Sequence, residues 1–248
     1  MNLVIFDIDG TITKTNPVDE ACFRQTAEEI FQKKIGSIDF HDFRNITDST
    51  VVFELYQKHM GRNPSRDEYY SFRKAFKKNL KSLFKTHSNE FEPVDGIQTL
   101  LHELGKHGKW KFIIATGCWK FSAKFKLESS GFYYKKLDVV TADDGLTRDR
   151  IILNAINQAK KKHSVDNFKR IVYVGDASWD IKSCYNLHLP FIGVEAEEND
   201  KKKEELGNYL TMHQYPALKD FIKIAKQAKV PALPFVHPLF REEENGDL

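Results

Sequence analysis

Acidic side chains follow the ends of short apolar segments in this sequence. Asp7 and Asp9 come directly after the apolar residues 3–6, within the stretch DIDGT. Asp176 follows the apolar residues 171–174 after one glycine. In an open α/β sheet, ligands bind beyond the carboxyl ends of the strands, so residues at these positions are candidates for chemistry. Other candidates of this kind are Thr116, Gly117 and Asp180.

These strand ends would bring several carboxylates to one edge of a sheet. Crowded carboxylates raise each other's pKa unless a cation lies between them. Their oxygens are hard ligands of the kind that Mg²⁺ takes, usually together with water and a substrate phosphate. A positive side chain is still needed to balance a transferring phosphoryl group, and the stretch TRDRI offers Arg148 and Arg150. We favour Arg148, although both arginines fit the pattern.

The rest of the sequence predicts the sheet that would position these residues. Short apolar runs without alternation are typical of strands buried on both faces of a parallel sheet. They lie at residues 3–6, 112–115, 138–140, 171–174 and 191–194. Helical patterns at residues 121–130, 151–161 and 179–186 separate the later runs. Strand and helix in alternation predict a doubly wound, mostly parallel α/β sheet.

A long helical segment interrupts this alternation. Residues 15–90 show helical patterns at 18–31, 49–59 and about 66–84, and no convincing strand. A capping box from Ser65 to Glu68 opens the last of these helices. We therefore predict an all-helical cap inserted after the first strand. The predicted domains are an α/β core of residues 1–14 and 91–228, the cap of residues 15–90, and a tail of residues 229–248 docked through Phe235, Leu239 and Phe240.

Four motifs of the sequence resemble those of a known superfamily. DIDGT, IIATG, TRDRI and VYVGDASWD occur in the order, and on the elements, of the haloacid dehalogenase superfamily of phosphotransferases. The resemblance extends from residue 2 to about residue 224, and its first motif is highly specific. The site of the insertion is similar to that of the helical cap in phosphoglycolate-phosphatase-like members. Most relatives carry lysine where this chain offers arginine.

This resemblance implies a role for each candidate residue. Asp7 would attack phosphorus and form an aspartyl-phosphate. Asp9 would be general acid to the leaving alcohol and then general base for water. Mg²⁺ would be held by the Asp7 carboxylate, the backbone carbonyl of Asp9 and Asp176. Thr116, the Gly117 N–H and Arg148 would bind the phosphoryl oxygens, and Asp180 would orient a metal-bound water or Arg148.

The predicted cap offers candidates for substrate contact. The stretch RNITDS is similar to a Thr-Asp element in the caps of some phosphatase relatives, so we predict that Thr47 and Asp48 bind substrate. Asn16, near the predicted hinge, is a third candidate. The alternative is that Thr47 or Asp48 only caps the helix that begins near Ser49. A closing cap would exclude water and select the leaving group.

Composition and spacing exclude several other classes of protein. The net charge of +3 selects no partner class. The sequence has no apolar run long enough to span a membrane, and its first residues lack the features of a signal peptide. The 3 cysteines are widely spaced, which predicts no disulfide framework and a reducing cytoplasm. Motifs for a P-loop, a dinucleotide site or a zinc site do not occur.

Residues 73–85 are strongly basic and form an apolar stripe at helical spacing. We interpret their charged side as a solvated helix face, with nucleic acid as the alternative partner.

The motifs together predict an Mg²⁺-dependent phosphatase that acts on a small phosphorylated metabolite. A phosphomutase of the same superfamily, in which a sugar hydroxyl replaces water, is the first alternative. A catalytically silent binding or regulatory protein on the same scaffold is the alternative from a different class. The acid at position 9 favours phosphate esters over carbon–halogen bonds, because the dehalogenating branch lacks an acid there.

Overall fold

A parallel sheet forms the centre of the fold. The computed structural model describes residues 1–40, 43, 46–195, 206–207 and 209–232. The 6 strands lie in the order β3-β2-β1-β4-β5-β6, and each strand is parallel to its neighbours. They are β1 (Asn2–Phe6), β2 (Trp110–Ala115), β3 (Val139–Val140), β4 (Arg170–Gly175), β5 (Phe191–Val194) and β6 (Thr211–Met212). The predicted α/β fold with a doubly wound parallel sheet is confirmed.

Helices connect the strands and cover both faces of the sheet. The described α-helices are α1 (Asn16–Phe31), α2 (Asp48–Met60), α3 (Arg66–Thr86), α4 (Ile97–Lys106), α5 (Lys120–Ser129), α6 (Arg148–His163), α7 (Ser178–Asn186) and α8 (Leu218–Gln227). Short 3-10 helices lie at Ser88–Phe91 and Tyr134–Lys136. The sequence prediction contains no counterpart of β6, α4 or α8. The apolar pattern of residues 151–161 lies within α6, which begins at Arg148, where the Thr147 side chain accepts a hydrogen bond from the Arg150 N–H.

Strand β1 is buried on both faces. Leu3 and Ile5 belong to one apolar cluster, whereas Val4 and Phe6 belong to another. The first cluster includes side chains of α1, α2, α3 and α6, and the second includes side chains of α4, α5 and α8. A strand covered by helices on both sides has no polar face, which explains its continuous apolar sequence. The strand ends at Phe6, one residue before Asp7.

Helices α1, α2 and α3 lie between β1 and β2, where the insertion is predicted. They share an apolar cluster with the fully buried Trp119, which follows β2. The ring of Phe76 meets Trp119 edge to face with centroids 5.4 Å apart, and Trp119 Nε1 donates to Ser49 Oγ at 2.9 Å. The inserted helices thus pack against Trp119, just beyond the carboxyl end of β2. The predicted boundaries of core, cap and tail stay predictions.

Helix α3 begins as predicted. The Ser65 N–H donates to Glu68 Oε2 at 2.7 Å, and the Ser65 side chain accepts from the Glu68 N–H, so the capping box is confirmed. On the basic face of the helix, Lys74, Lys77, Lys78 and Lys81 are exposed as predicted, whereas Arg73 is only partly exposed. Arg73 Nη2 pairs with Asp143 Oδ1 at 2.7 Å and its guanidinium lies over the Trp119 ring. This side chain therefore links α3 to the segment that follows β3.

Two predictions about the whole chain have different outcomes. The cysteines Cys22, Cys118 and Cys184 are all free and buried, so the prediction that they form no disulfides is confirmed. The tail residues predicted to dock, Phe235, Leu239 and Phe240, lie outside the described residues. Among the helices that the structure describes, none combines the length and apolar character needed to cross a bilayer.

Candidate active site

Three neighbouring strands end at the candidate site. Strands β2, β1 and β4 lie side by side at the centre of the sheet and are followed by Thr116, Asp7 and Asp176. The strand hydrogen bonding continues to these residues, because the Asp7 N–H donates to the Val174 carbonyl at 3.0 Å and the Thr116 N–H to Val140 at 3.0 Å. From β1 the successive strands β2 and β3 are added on one side of the sheet, whereas β4, β5 and β6 are added on the other side. Such a reversal leaves a crevice at the carboxyl edge, which is where these residues lie.

The Arg148 guanidinium joins the acids of this edge. Its Nη1 lies 3.1 Å from Asp7 Oδ2 and 2.9 Å from Asp180 Oδ1. The same nitrogen lies 3.3 Å from the Tyr173 hydroxyl, in β4. Arg150, the alternative for this role in the sequence, is exposed at the protein surface. The structure therefore favours Arg148 as the positive group of the site.

Asp180 organises the turn after β4. Its Oδ2 accepts hydrogen bonds from the N–H groups of Asp176 at 3.1 Å and Ala177 at 3.3 Å. Its Oδ1 accepts from the Tyr173 hydroxyl at 3.0 Å and from Arg148. Burial raises the pKa of Asp180 to about 7, against the effect of the Arg148 charge. Asp180 thus orients both Arg148 and the backbone that carries Asp176.

Asp7 has one carboxylate oxygen without a partner. Its Oδ2 is paired with Arg148, whereas its buried Oδ1 meets no hydrogen-bond donor among the described residues. Burial raises the pKa of Asp7, and the charges of Asp9 and Asp176 raise it further, although Arg148 opposes them. An unsatisfied buried acceptor costs roughly 1–3 kcal/mol. The site is therefore incomplete without a further positive or hydrogen-bonding group at Asp7 Oδ1.

The acids of this edge fit a hard divalent cation. Oxygens of Asp7, Asp176 and Asp180 lie within 4.8 Å of one another. Both oxygens of Asp180 already accept hydrogen bonds, so Asp180 is a poorer ligand than the other two acids. Asp176 Oδ2 accepts a hydrogen bond from Asn16 Nδ2 at 2.7 Å. A cation between Asp7 and Asp176 would bind the unpartnered oxygen and relieve the repulsion of the two charges. Oxygen ligands of this type suit Mg²⁺ better than softer metals.

Asp9 has different surroundings from Asp7. Its Oδ1 lies 2.7 Å from Lys126 Nζ and accepts a hydrogen bond from Thr15 Oγ1 at 2.5 Å. Its Oδ2 accepts from the Cys118 thiol at 2.9 Å. Burial raises the pKa of Asp9, but the Lys126 charge and these hydrogen bonds outweigh it, so the pKa lies below its ordinary value. The surroundings of Asp9 thus favour its carboxylate form, whereas the burial of Asp7 disfavours the charged form.

Gly10 makes the turn between these acids and helix α1. Its φ is +69°, a left-handed conformation that glycine adopts without strain. A Cβ at this position would overlap Asp176 Oδ2 and Asn16 Nδ2. The turn thus requires glycine for its conformation and also for the approach of Asp176.

Replacing Gly10 with alanine is expected to lower the free energy of unfolding by about 2 kcal/mol or more, from backbone strain and displacement of Asp176. Urea denaturation measures this change. Gly105→Ala in α4 is the matched control, because the nearest atom to its Cβ would be Phe112 Cε1 at 3.9 Å. Alanine is favoured over glycine inside a helix, so the control variant is expected to be at least as stable as the wild type. Equal stability of the two variants would contradict the prediction.

Thr116 and Gly117 form the turn after β2. The Thr116 hydroxyl accepts a hydrogen bond from the Cys118 N–H at 3.2 Å. The Gly117 carbonyl accepts from the Asp48 N–H at 2.8 Å, and a Cβ on Gly117 would lie 2.7 Å from the Ile46 carbonyl oxygen. The start of α2 therefore touches the end of β2 at a position where only glycine leaves room.

Thr47 and Asp48 both support local structure. The Thr47 side chain accepts from the Thr50 N–H at the start of α2 and lies 3.1 Å from the Leu146 carbonyl oxygen, to which it donates. Asp48 Oδ2 accepts from the Trp119 N–H at 2.8 Å. The helix-capping alternative thus applies to Thr47, while Asp48 contacts the segment after β2. Arg44 and Asn45 of the same motif lie outside the described residues.

A cavity of about 420 Å³ lies over the strand ends. Every residue predicted for the site lines it except Asp180, which lies behind Arg148. The lining from the strand ends and α6 is Asp7, Asp9, Thr116, Gly117, Arg148 and Asp176. The predicted substrate contacts Asn16, Thr47 and Asp48 form part of the opposite walls, together with the aromatic side chains Phe23, Phe40 and Trp179.

Sequence reasoning missed Lys126 and Asp19, which form a buried group with Asp9. A signal for Lys126 exists, because it lies at helical spacing from the buried Ser122 and Ala123 of α5. Burial raises the pKa of Asp19 to about 6, against the effect of Lys126.

Comparison with known families identifies the chain. A family model described as haloacid dehalogenase-like hydrolase matches residues 4–194. The chain belongs to this family. The match includes the three strand ends and helices α1, α2 and α3, so the predicted superfamily and the prediction of a hydrolase are confirmed. No curated protein matches the chain.

Solved structures with this hydrolase's fold include enzymes of several kinds. A hydrolase from Pseudomonas syringae is 18% identical with a TM-score of 0.67, and the alignment covers 92% of this chain and 99% of that one. A β-phosphoglucomutase from Clostridium difficile is 19% identical with a TM-score of 0.64, covering 91% and 97%. CbbY from Rhodobacter sphaeroides, solved with phosphate, is 16% identical with a TM-score of 0.61, covering 77% and 85%. At these identities the similarity establishes the shared fold alone.

Proposed function

We propose that the hydrolase is an Mg²⁺-dependent phosphatase that cleaves a small phosphomonoester through an aspartyl-phosphate on Asp7. One observation carries this proposal. Asp7 lines the cavity, and its buried Oδ1 has no hydrogen-bond partner within the described part of the chain, while Oδ2 is held by Arg148. A carboxylate that is fixed on one oxygen and open on the other is arranged to bind a cation and attack phosphorus.

Asp7 and Asp9 divide the reaction between them. A carboxylate oxygen of Asp7 forms a bond to phosphorus as the bond from phosphorus to the ester oxygen breaks. The leaving oxygen takes a proton from Asp9 and departs as the alcohol. A water molecule then attacks the aspartyl-phosphate, gives its proton to Asp9 and restores the Asp7 carboxylate as inorganic phosphate leaves. The substrate's own negative charge favours the protonated form of Asp9 in the first step.

The other residues of the edge bind the phosphoryl group and the metal. Thr116 and the Gly117 N–H contact the phosphoryl oxygens, and Arg148 stabilises their charge. Asp7, the Asp9 carbonyl and Asp176 hold Mg²⁺, with Asp180 orienting Arg148. When bound, Mg²⁺ neutralises charge between the nucleophile and the phosphate.

The leaving group occupies the part of the cavity beyond the strand ends. Asn16, Thr47 and Asp48 line this part and are proposed to contact a small phosphorylated metabolite. The helices of residues 15–90 act as a cap on the core of residues 1–14 and 91–228, and they exclude water from the reaction. The free, buried cysteines suit a reducing compartment, so we propose that the enzyme works in the cytoplasm.

A phosphomutase is the second candidate for the same residues. The observation that favours it is the fold similarity to the β-phosphoglucomutase from Clostridium difficile over 91% of this chain. In that reaction the hydroxyl of a sugar phosphate replaces water as the acceptor. Preferential transfer to added sugar phosphates over water would identify the mutase.

Removal of the metal tests the proposed function. Hydrolysis of p-nitrophenyl phosphate is expected to fall by about 10²-fold in excess EDTA, because several kcal/mol of charge stabilisation is lost. Added Mg²⁺ in excess of the chelator is expected to restore the rate. Phosphate release and nitrophenolate absorbance are both measured. Turnover that is unchanged in EDTA, or absent with Mg²⁺ for every phosphomonoester tried, would contradict the proposal.

A further inference from the structure

Lys126 is a fully buried lysine in helix α5 that no sequence motif marks. Its Nζ lies 2.7 Å from Asp9 Oδ1, 2.5 Å from Asp19 Oδ1 and 3.3 Å from Cys118 Sγ. Its side chain has no exposed surface. An ammonium group is removed from water at a large cost in free energy unless carboxylates compensate for it. The two aspartates at hydrogen-bond distance provide that compensation.

Lys126 connects three separate parts of the chain. It lies on α5, after β2, whereas Asp9 follows β1 and Asp19 lies in the first turn of α1. One ammonium group therefore fixes the position of Asp9 relative to the first inserted helix. Because Asp9 and Asp19 are both side-chain partners of the same nitrogen, neither can move far without breaking an ion pair.

The contacts of Asp9 hold its carboxylate in one orientation. Lys126 and Thr15 bind Oδ1, and the Cys118 thiol binds Oδ2. Of these donors, Lys126 alone carries a charge. Asp9 lines the cavity, whereas Lys126 has no surface exposed to it. Lys126 therefore cannot touch a ligand in the cavity, and any effect on the reaction passes through Asp9.

We propose that Lys126 is a positioning residue that holds the Asp9 carboxylate where it takes the proton from the hydrolytic water. The inference rests on the proposed function, because it assigns Lys126 to the second half of that reaction. In that half, water forms the new bond to phosphorus, the bond from phosphorus to Asp7 breaks, and the water proton goes to Asp9. Lys126 supplies no atom and no proton to these steps.

The two halves of the reaction can be separated with p-nitrophenyl phosphate. Nitrophenolate leaves without needing a proton, so formation of the phosphoenzyme does not require Asp9 as an acid. Hydrolysis of the phosphoenzyme still requires Asp9 as a base. A rapid-quench experiment measures both, as a burst of nitrophenolate and as the steady rate that follows it.

Lys126→Met is expected to lower the steady rate by about 10²-fold, within the range for loss of a positioned base. The burst rate constant is expected to stay within about threefold of the wild type, so that the phosphorylated enzyme accumulates and is seen by intact-protein mass spectrometry. In the Asp9→Asn background, Lys126→Met is expected to have no further effect on the steady rate. These results together would show that Lys126 acts through Asp9.

Lys124→Met is the matched control, because Lys124 lies on the same helix, is half exposed and pairs with Glu128 at 3.9 Å. Its burst and steady rates are expected to equal those of the wild type. Lys126→Met leaves two buried carboxylates unpaired, so Lys126→Met with Asp19→Asn is a second variant with fewer buried charges. Its reference is Asp19→Asn alone. Relative to that reference, the double variant is expected to accumulate phosphoenzyme, as Lys126→Met does relative to the wild type.

Several outcomes would overturn the proposal. Equal losses in burst and steady rate would mean that Lys126 has only a structural role. An undiminished effect of Lys126→Met in the Asp9→Asn background would mean that it does not act through Asp9. Failure of both Lys126 variants to fold, judged by circular dichroism, would also reject it. Failure of the proposed function is a separate result, because the wild type itself would then show no phosphoenzyme.

Discussion

Asp7→Asn is expected to lower phosphate release by about 10⁵-fold while the protein remains folded. Loss of a nucleophile costs an enzyme several orders of magnitude, because no other group forms the covalent intermediate. The asparagine amide is nearly the same size as the carboxylate, and its oxygen can still accept the Arg148 hydrogen bond. Phosphate release measures turnover, and mass spectrometry after acid quenching is expected to find phosphoenzyme in the wild type alone.

The same substitution is expected to stabilise the metal-free protein. Burial raises the pKa of Asp7 above its ordinary value of 3.8, so the folded state binds the proton more tightly than the unfolded state. At neutral pH the charged carboxylate therefore lowers stability, and this penalty disappears as the pH falls below 3.8. Asp7→Asn removes the penalty, and each kcal/mol regained raises the melting temperature by about 2–4 °C. The gain is expected at pH 7 and not at pH 3.

The control for both measurements is Asp220→Asn, because Asp220 is an exposed residue of α8 paired with Lys223 at 2.7 Å. Its activity and melting temperature are expected to match those of the wild type. Wild-type turnover in Asp7→Asn would exclude the aspartyl-phosphate. A fall in melting temperature would show instead that the Asp7 charge supports the fold.

Arg148→Met is expected to damage activity and stability together. Arg148 would stabilise phosphoryl charge during transfer, and comparable arginines contribute about 10³-fold or more to turnover. The methionine has a similar length but leaves Asp7 and Asp180 buried without their shared cation. Breaking a buried ion pair in this way costs about 3–5 kcal/mol. Phosphate release and urea denaturation, each with and without Mg²⁺, measure the two effects.

Arg150→Met is the matched control, because Arg150 lies two residues later on α6 and is exposed. It is expected to keep wild-type turnover and to change the free energy of unfolding by less than about 0.5 kcal/mol. Similar losses of turnover in both variants would show that the two arginines act through the total positive charge at the start of α6, and not through the contact of Arg148 with Asp7. Loss of activity in Arg150→Met alone would transfer the proposed role to Arg150.

The strand ends were predictable because residue type and spacing both carry information there. Asp7 directly follows an apolar run, and Asp176 follows another after one glycine. Both runs are apolar because helices cover both faces of β1 and β4. The choice between Arg148 and Arg150 required the structure. The two positions differ by more than half a turn of α6, and only the placement of that helix on the sheet decides which of them faces Asp7.

The elements missed by the sequence prediction have different explanations. Strand β6 contains only Thr211 and Met212, too few residues for a pattern. Helix α4 does carry a helical pattern, with Ile97, Leu100 and Leu104 buried on one face, so that omission was avoidable.

The helical spacing of Lys126 from Ser122 and Ala123 indicates its burial, but the sequence does not indicate its partners Asp9 and Asp19. Lys126 and Asp19 are 107 residues apart, and a lysine in a helix is ordinarily exposed. Only tertiary packing brings Asp9, Asp19 and Lys126 together and makes the burial of their charges tolerable.

The order of the strands has a consequence for synthesis on the ribosome. Strand β1 occupies the centre of the sheet, yet its partners β2 and β4 begin at Trp110 and Arg170. At translation rates of about 5–20 residues per second, β1 waits for roughly 10–30 s before its second neighbour exists. Until then its apolar edges are unpaired and Asp7 has no Asp176 beside it. The nascent chain therefore completes its candidate active site late, and until then the unpaired edges of β1 can pair with strands of other chains.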